Sequence, residues 1–168
     1  MDEREAIKQL IAESARQLSR QYYSDAQIEA AIATVFGVDT DLIEDGTYFV
    51  VESEGQLAGC GGWSKRKTLF GGDQYSSRDT AYLDPQFEAA KIRAFFIHPD
   101  YARKGIARAI LSRCEDEARA EGFRALELMA TLPGIEFYKS CGFVETGNFD
   151  LALTEAVQLE LVPMRKKL

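Results

Sequence analysis

Apolar residues recur at helical spacing twice near the start of the chain. Ile7, Leu10, Ile11, Ala15 and Leu18 fall on one stripe with charges opposite, which predicts an amphipathic helix from about Glu3 to Ser19. Ile28, Ile32, Val35 and Phe36 share a second stripe. With Ser24 or Asp25 as N-cap and Gly37 as a stop, they predict a helix from about Asp25 to Phe36. The polar-aromatic elbow Arg20-Gln21-Tyr22-Tyr23 joins the two. It either packs on the core edge or lines a pocket, since sites are often placed on loops.

The period then changes. Thr47 to Glu52 is rich in β-formers, and Gln56 to Ser64 returns after Ser53-Glu54-Gly55, so the pair predicts an antiparallel hairpin. Gly59, Gly61 and Gly62 in the second strand predict a bulge, a close approach by a ligand or backbone, or a packing kink. From Lys65 to Ala89 the periodicity fades, and a connection this long is usually functional or mobile. Lys91 to His98 is apolar and aromatic without helical spacing, a central strand that Pro99 ends. Ile106, Ile110, Leu111, Cys114 and Ala118 share one helical face, predicting a helix from Gly105 to about Glu121 that Gly122 stops. Phe123 to Ala130 is the next strand. Strand, helix, strand in this order predicts a parallel βαβ unit with a right-handed crossover. Pro133 to Cys141 reads as a short helix, and Phe143 to Phe149 and Ala156 to Pro163 as the last two strands. In the final strand Val157, Leu159 and Leu161 alternate with Gln158 and Glu160, which leaves one face exposed.

Composition narrows the class. A chain of 168 residues, 46% hydrophobic and 28% charged, predicts one soluble globular domain over residues 1–168. The net charge of −7 argues against a nucleic-acid partner; it fits a cationic small substrate, or solubility alone. There is no apolar run of about eighteen residues, so no membrane span is predicted, and the charged N-terminus has no signal-type apolar core. Cys60, Cys114 and Cys141 are odd in number and far apart, which fits a reducing cytoplasm instead of a disulfide framework or metal cluster. With His98 as the one histidine, no metal site is expected.

Candidate chemistry concentrates between Ile97 and Leu111. This stretch runs from a strand end through a turn with Arg103, Lys104 and Gly105 into a helix start. Free first-turn N–H groups and the partial positive charge of a helix N-terminus make an anion site, and two cationic neighbours favour phosphate or pyrophosphate. The absence of Gly-x-x-x-x-Gly-Lys-Ser/Thr and of Gly-x-Gly-x-x-Gly speaks against a generic nucleotide-phosphate binder.

The order of elements and two motifs resemble the GCN5-related N-acetyltransferase family, acyltransferases that use acetyl-CoA. The first motif is His98-Pro99-Asp100-Tyr101-Ala102-Arg103-Lys104-Gly105-Ile106-Ala107. The family pattern is Gln or Arg, two residues, Gly, one residue, then Gly or Ala. Gly105 and Ala107 match it, while Ala102 takes the leading position. The second motif is Leu126-Glu127-Leu128-Met129-Ala130-Thr131 followed by Phe137-Tyr138-Lys139-Ser140-Cys141-Gly142-Phe143. The resemblance implies an α/β (α+β) fold, with a mixed, mostly antiparallel sheet, a central βαβ unit and flanking helices. The chain starts almost inside its first helix, so the resemblance also implies a sheet without the family's first edge strand.

The same resemblance implies roles. Phe96, Ile97 and His98 would hold the pantetheine of acetyl-CoA through their backbones. The amides of Arg103, Lys104, Gly105, Ile106, Ala107 and Arg108 would hold the pyrophosphate, leaning on Arg103 and Lys104 where Ala102 offers no side chain. Thr131 or Pro133 occupies the region where the family often has Asn. Tyr138 sits where the family's acid Tyr sits, beside the cofactor; a tyrosine of reference pKa about 10 is protonated and able to donate to a thiolate of pKa about 8.5. The other reading of Tyr138 is a packed aromatic. Glu127, which alternates with Leu126 and Leu128, is the choice for the base, or else an exposed or ion-paired carboxylate; Asp73 and Glu52 are weaker choices. Tyr22, Tyr23, Trp63, Phe70, Asp73 and Gln74 lie on segments able to form the acceptor pocket, and aromatics plus a carboxylate suit an ammonium group. The expected function is direct acetyl transfer from acetyl-CoA to a primary amine of a small molecule or peptide, in the cytoplasm, without a metal. The alternative is a non-catalytic CoA-binding sensor or regulatory module, against which Tyr138 argues. A homodimer through the last strands is compatible with the pattern.

Overall fold

The computed structural model of the protein describes residues 2–168. The first predicted stripe forms α1, Glu3–Leu18, and buries Ile7, Leu10, Ile11 and Ala15. The second forms α2, Asp25–Thr34, where Ser24 and Gln27 make a reciprocal capping box. Helix α2 stops before Val35 and Phe36, yet Val35 stays buried in a cluster with Ala31, Leu159 and Leu161. A short α3, Thr40–Glu44, is capped by the Asp39 carboxylate. Five residues are too few to print a helical stripe, so the hydropathy pattern does not show it.

The predicted hairpin is β1, Tyr48–Ser53, and β2, Gln56–Ser64. It is followed by β3, Ala90–Ile97; α4, Ile106–Ala120; β4, Ala125–Thr131; and α5, Ile135–Ser140. The predicted strand from Phe143 to Phe149 is instead two pieces, β5, Val144–Glu145, and β6, Phe149–Ala152. Both pair with the long last strand β7, Gln158–Lys167. Between them Thr146 N–H donates to Pro163 O at 2.8 Å, opposite the one β7 residue with no N–H to return. Pro163 interrupts one donor only, so β7 continues four residues beyond the predicted end at Pro163.

The seven strands form one sheet in the order β1-β2-β3-β4-β7-β5, with β6 also on β7. Only β3 and β4 are parallel, as the strand-helix-strand order predicts. Helix α4 covers one face with Ile110, Leu111, Cys114 and Ala118 against Ile92, Leu126 and Leu128. Helices α1 and α2 cover the other, packing Ile7, Leu10 and Ile11 on Cys60, and Ala15, Ile28 and Ala31 near Leu159 and Leu161. No described helix is long and apolar enough to cross a membrane.

The glycines of β2 permit close approach, and the bulge lies in its partner. Cys60 faces Phe96 and Gly62 faces Arg93, so Ala94 and Phe95 together oppose Gly61. Ala94 carries a left-handed φ of 59°, a conformation that costs a non-glycine residue about 1–2 kcal/mol. A Cβ on Gly61 would lie 2.6 Å from the Phe95 ring, and one on Gly62 would lie 2.4 Å from Thr47 O. The bulge bends β3 away from β4: the parallel register holds only at Ala90 with Leu126 and Lys91 with Glu127. Gly61→Ala should therefore cost about 1–3 kcal/mol through overpacking against Phe95. Thermal melting checks this, and an unchanged midpoint would show that Phe95 moves freely.

Candidate active site

Beyond Lys91 and Glu127 the parted strands open a cleft of about 860 Å³ that reaches both faces of the sheet. On the α4 side it is lined by the Arg103–Arg108 turn, Phe95 and Tyr138. On the α1/α2 side it is lined by Tyr22, Phe36, Phe70, Gly71, Asp39 and Arg93.

The turn before α4 is built to expose main-chain donors. Arg103 and Gly105 both have left-handed φ values, 61° and 83°, which aim successive amides outward. Ala109 N–H is the first to bond back, to Gly105 O at 3.0 Å; those of Lys104 to Arg108 have no acceptor among the described residues. Open space surrounds Gly105 where a Cβ would stand. These amides can hold an anion. The unpaired edges of β3 after Lys91 and of β4 after Glu127 offer further main-chain groups, suited to an extended chain bearing amides.

The structure brings most of the predicted cofactor residues to this cleft. Phe96, Ile97 and Thr131 line it along the strands, and Arg103, Gly105, Ile106, Ala107 and Arg108 line it at the turn. His98 and Lys104 do not line it. His98 Nδ1 accepts from Asp100 N–H at 3.1 Å, capping the 3-10 turn Pro99–Tyr101, and its Nε2 lies 3.5 Å from Glu13 on α1. The Lys104 ammonium lies 5.1 Å over the Tyr101 ring, so its side chain serves that turn. Arg108 reaches α5, donating to Ser140 Oγ at 3.0 Å.

Tyr138 lines the α4 side of the cleft. Its ring is 9% exposed and packs edge-on to Phe95 and Phe143, at centroid distances of 6.3 and 5.6 Å. Its hydroxyl has no hydrogen-bond partner among the described residues. Burial pushes that hydroxyl well above the ordinary tyrosine value, so it stays protonated and available as a donor.

Glu127 is not brought to the cleft, contrary to its expected place as base. It is held at the paired end of the strands, bonded to Lys91 Nζ at 2.6 Å and ion-paired with Arg165 of β7. Burial pushes its carboxyl up, but Lys91 and Arg165 outweigh burial and leave it below the ordinary value. A carboxylate held this way takes protons poorly, the reverse of what a base near neutral pH needs.

The six residues expected around an acceptor separate, and Gln74 is outside the lining, its Nε2 donating to Phe36 O at 2.8 Å. Tyr22 and Phe70 line the cleft. Tyr23 is buried: its hydroxyl donates to Glu160 O at 2.6 Å and accepts from Leu132 N–H at 2.9 Å, tying the elbow to β7 and the β4 end. Trp63 lies in the α4-side core, where Nε1 donates to Glu117 at 3.0 Å. Asp73 accepts from Thr40 N–H at 2.8 Å and from Arg4 at 3.0 Å, outside the lining.

One charged group was missed. Arg93 on β3 ion-pairs with Asp39, which Arg78 also contacts at 3.0 Å. Burial pulls the Arg93 guanidinium down to about 10, still charged at neutral pH. The signal was in the chain: a charged residue inside the apolar run Ile92-Arg93-Ala94-Phe95 is almost always paired when buried. Its partner, more than fifty residues earlier, could not be read from spacing. Among the described residues no group of His, Cys, Asp and Glu could hold a metal ion.

Known proteins match both the chain and the fold. Over 61 residues it is 36% identical to an uncharacterized N-acetyltransferase of Methanocaldococcus jannaschii, a match covering 34% of this chain and 27% of that relative's length. A GCN5-related N-acetyltransferase from Rhodopseudomonas palustris superposes with a TM-score of 0.71 at 18% identity, covering 100% of this chain and 92% of that one. The PaiA N-acetyltransferase of Thermoplasma acidophilum, solved with coenzyme A, gives 0.66 at 15% identity over 98% and 92% of the two chains. At these identities the likeness shows the fold. The model of the acetyltransferase (GNAT) family matches residues 5–143, and the chain belongs to that family.

Proposed function

We propose that the protein transfers an acetyl group from acetyl-CoA to a primary amine, by direct attack of the amine on the thioester. The observation that carries this reading is the unpartnered Tyr138 hydroxyl, in the same cleft as the open helix-start amides. The family to which the chain belongs and the coenzyme A in a neighbour of the same fold support it.

Each residue has a defined task. The amides from Lys104 to Arg108 bind the pyrophosphate, with the Arg103 and Arg108 side chains beside them. The free edges of β3 and β4 orient the pantetheine through its amides. When bound, acetyl-CoA supplies the activated acyl group. The nitrogen of the neutral amine bonds to the acetyl carbon as the carbon–sulfur bond breaks; the sulfur leaves as a thiolate that Tyr138 hydrogen-bonds, and the extra proton on the new amide nitrogen passes to solvent. Because burial holds the Tyr138 pKa far above that of a thiol, its role is to stabilise the developing thiolate by donation, more than to surrender the proton outright.

No cleft residue serves as an evident base. Of the carboxylates lining it, Asp39 is ion-paired with Arg93 and Arg78, and Glu136 projects from α5 with its side chain 89% exposed. The amine therefore loses its proton to solvent before attack. Glu127 stabilises the strand junction and takes no part in the proton transfer.

Tyr138→Phe should lower kcat about 10²-fold, the usual effect of one lost donor to a developing anion. The KM for acetyl-CoA should hardly change; unaltered turnover would remove this role. For an alkylamine acceptor, kcat/KM should climb about tenfold per pH unit until the amine's own pKa, near 10.4. Glu127→Gln should follow the same profile, and a plateau below pH 8 that the variant abolishes would restore Glu127 as base. Arg103→Ala should raise the KM for acetyl-CoA about threefold to tenfold, since a partly exposed charge contact contributes about 1 kcal/mol. An unchanged KM would mean that Arg103 only faces solvent.

A further inference from the structure

The α1/α2 end of the cleft has a wall formed by Phe70, Gly71 and Gly72, from the long connection between β2 and β3. This wall is held from behind at several points. Gly71 O accepts from Arg78 Nη1 at 2.6 Å and from Arg93 Nη2 at 2.8 Å. Both guanidiniums also meet Asp39, and Arg78 contacts Asp41 at 2.6 Å. Gly72 N–H donates to Val35 O at 2.7 Å and Asp73 N–H to Val38 O at 2.9 Å. A Cβ on Gly72 would lie 2.7 Å from Gly37 Cα, so two glycines let the wall press on the α2–α3 link.

This arrangement is costly. Arg93 Nε and Nη1 are buried without an acceptor. Donors that no protein group meets work against folding, so the cluster is held together by its ion pairs and by the two bonds to Gly71 O. The cluster opposes two guanidiniums to two carboxylates, so it has no negative charge to spare. Asp39 is the one carboxylate lining this end, and it is already paired. What remains for a ligand is the apolar surface of the Tyr22 ring, Phe36, Phe70 and Met129, with the uncharged polar residues Ser14, Gln17, Ser19 and Gln21 along the α1 side.

We propose that Asp39, Arg78 and Arg93 form a latch that positions the Phe70–Gly72 wall and, by occupying that end's carboxylate, selects acceptors whose amine is carried on an apolar or aromatic body. The substrate class rests on the acetyl-transfer reading above; the latch does not. An acceptor with additional ammonium groups would meet no free anion here and would lose hydration without a countercharge, which discriminates against it.

The test compares 2-phenylethylamine with spermidine as acceptors, following thiol release and product mass. Wild type should show kcat/KM at least about tenfold higher for phenylethylamine, a difference of 1.4 kcal/mol in transition-state binding. Equal or faster acetylation of spermidine overturns the substrate class. Arg78→Met should raise the KM for phenylethylamine about tenfold, with kcat and the KM for acetyl-CoA within about twofold. A parallel rise in the acetyl-CoA KM overturns the positioning role. Asp41→Asn, which loosens Arg78 without removing it, should act in the same direction more weakly, and serves if Arg78→Met does not fold. Hydrogen exchange reads the latch without activity: the Gly72 and Asp73 amides should exchange about tenfold faster in these variants, while the Leu132 amide bonded to Tyr23 keeps its rate. Unchanged Gly72 and Asp73 exchange overturns the latch. If no amine is acetylated at all, the transfer reading and the substrate class fail together, and exchange alone decides the latch.

Discussion

The two-residue bulge at Ala94 and Phe95 is the constraint on which the site depends. Parallel strands joined by a crossover helix would ordinarily stay paired along their length. Here β3 holds β4 at Ala90 and Lys91 only, and then turns away. That departure frees the main-chain edges of both strands and opens a path between the two faces of the sheet. It also places the end of β3 beside the turn that starts α4. The left-handed Ala94 is unfavourable by itself, and the packing of Phe95 over Gly61 and against Tyr138 holds it.

Charge is distributed to match this geometry. Where the strands pair, Glu127 joins Lys91 and Arg165 and ties three strands together. Where they part, charge lies at the α4 turn, in main-chain dipoles and the Arg103 and Arg108 side chains, in Glu136 on α5, and in a closed network around Asp39. The surround of Tyr138 is apolar and keeps its hydroxyl protonated. The low local dielectric there strengthens whatever that hydroxyl donates to.

Much of the fold was legible because its signals are local. Helical stripes marked α1, α2 and α4, the Ser53-Glu54-Gly55 turn marked the hairpin, and Gly105 and Gly122 bracketed the crossover helix. The turn chemistry of Arg103 to Arg108 was legible for the same reason: free amides at a helix start follow from consecutive residues. Tyr138 was reached through its motif. By contrast α3 was too short to show a period, and the split of β5 from β6 depends on where Pro163 falls in a partner strand.

The acceptor side could not be read in this way. Alternation correctly set Glu127 apart from Leu126 and Leu128, but the same alternation serves a base and an ion pair equally. The neighbours Lys91 and Arg165 come from other strands and decide between them. Tyr22 and Tyr23 are adjacent in the chain, yet one lines the cleft and the other is buried on Glu160 O and Leu132 N–H. Local patterning thus marked most of the elements, their order and the turn with free amides before α4, since each needs only neighbouring residues. Which side chains meet across the cleft, and which charges cancel before a ligand arrives, came from contacts between distant segments, and spacing along a chain carries no record of those.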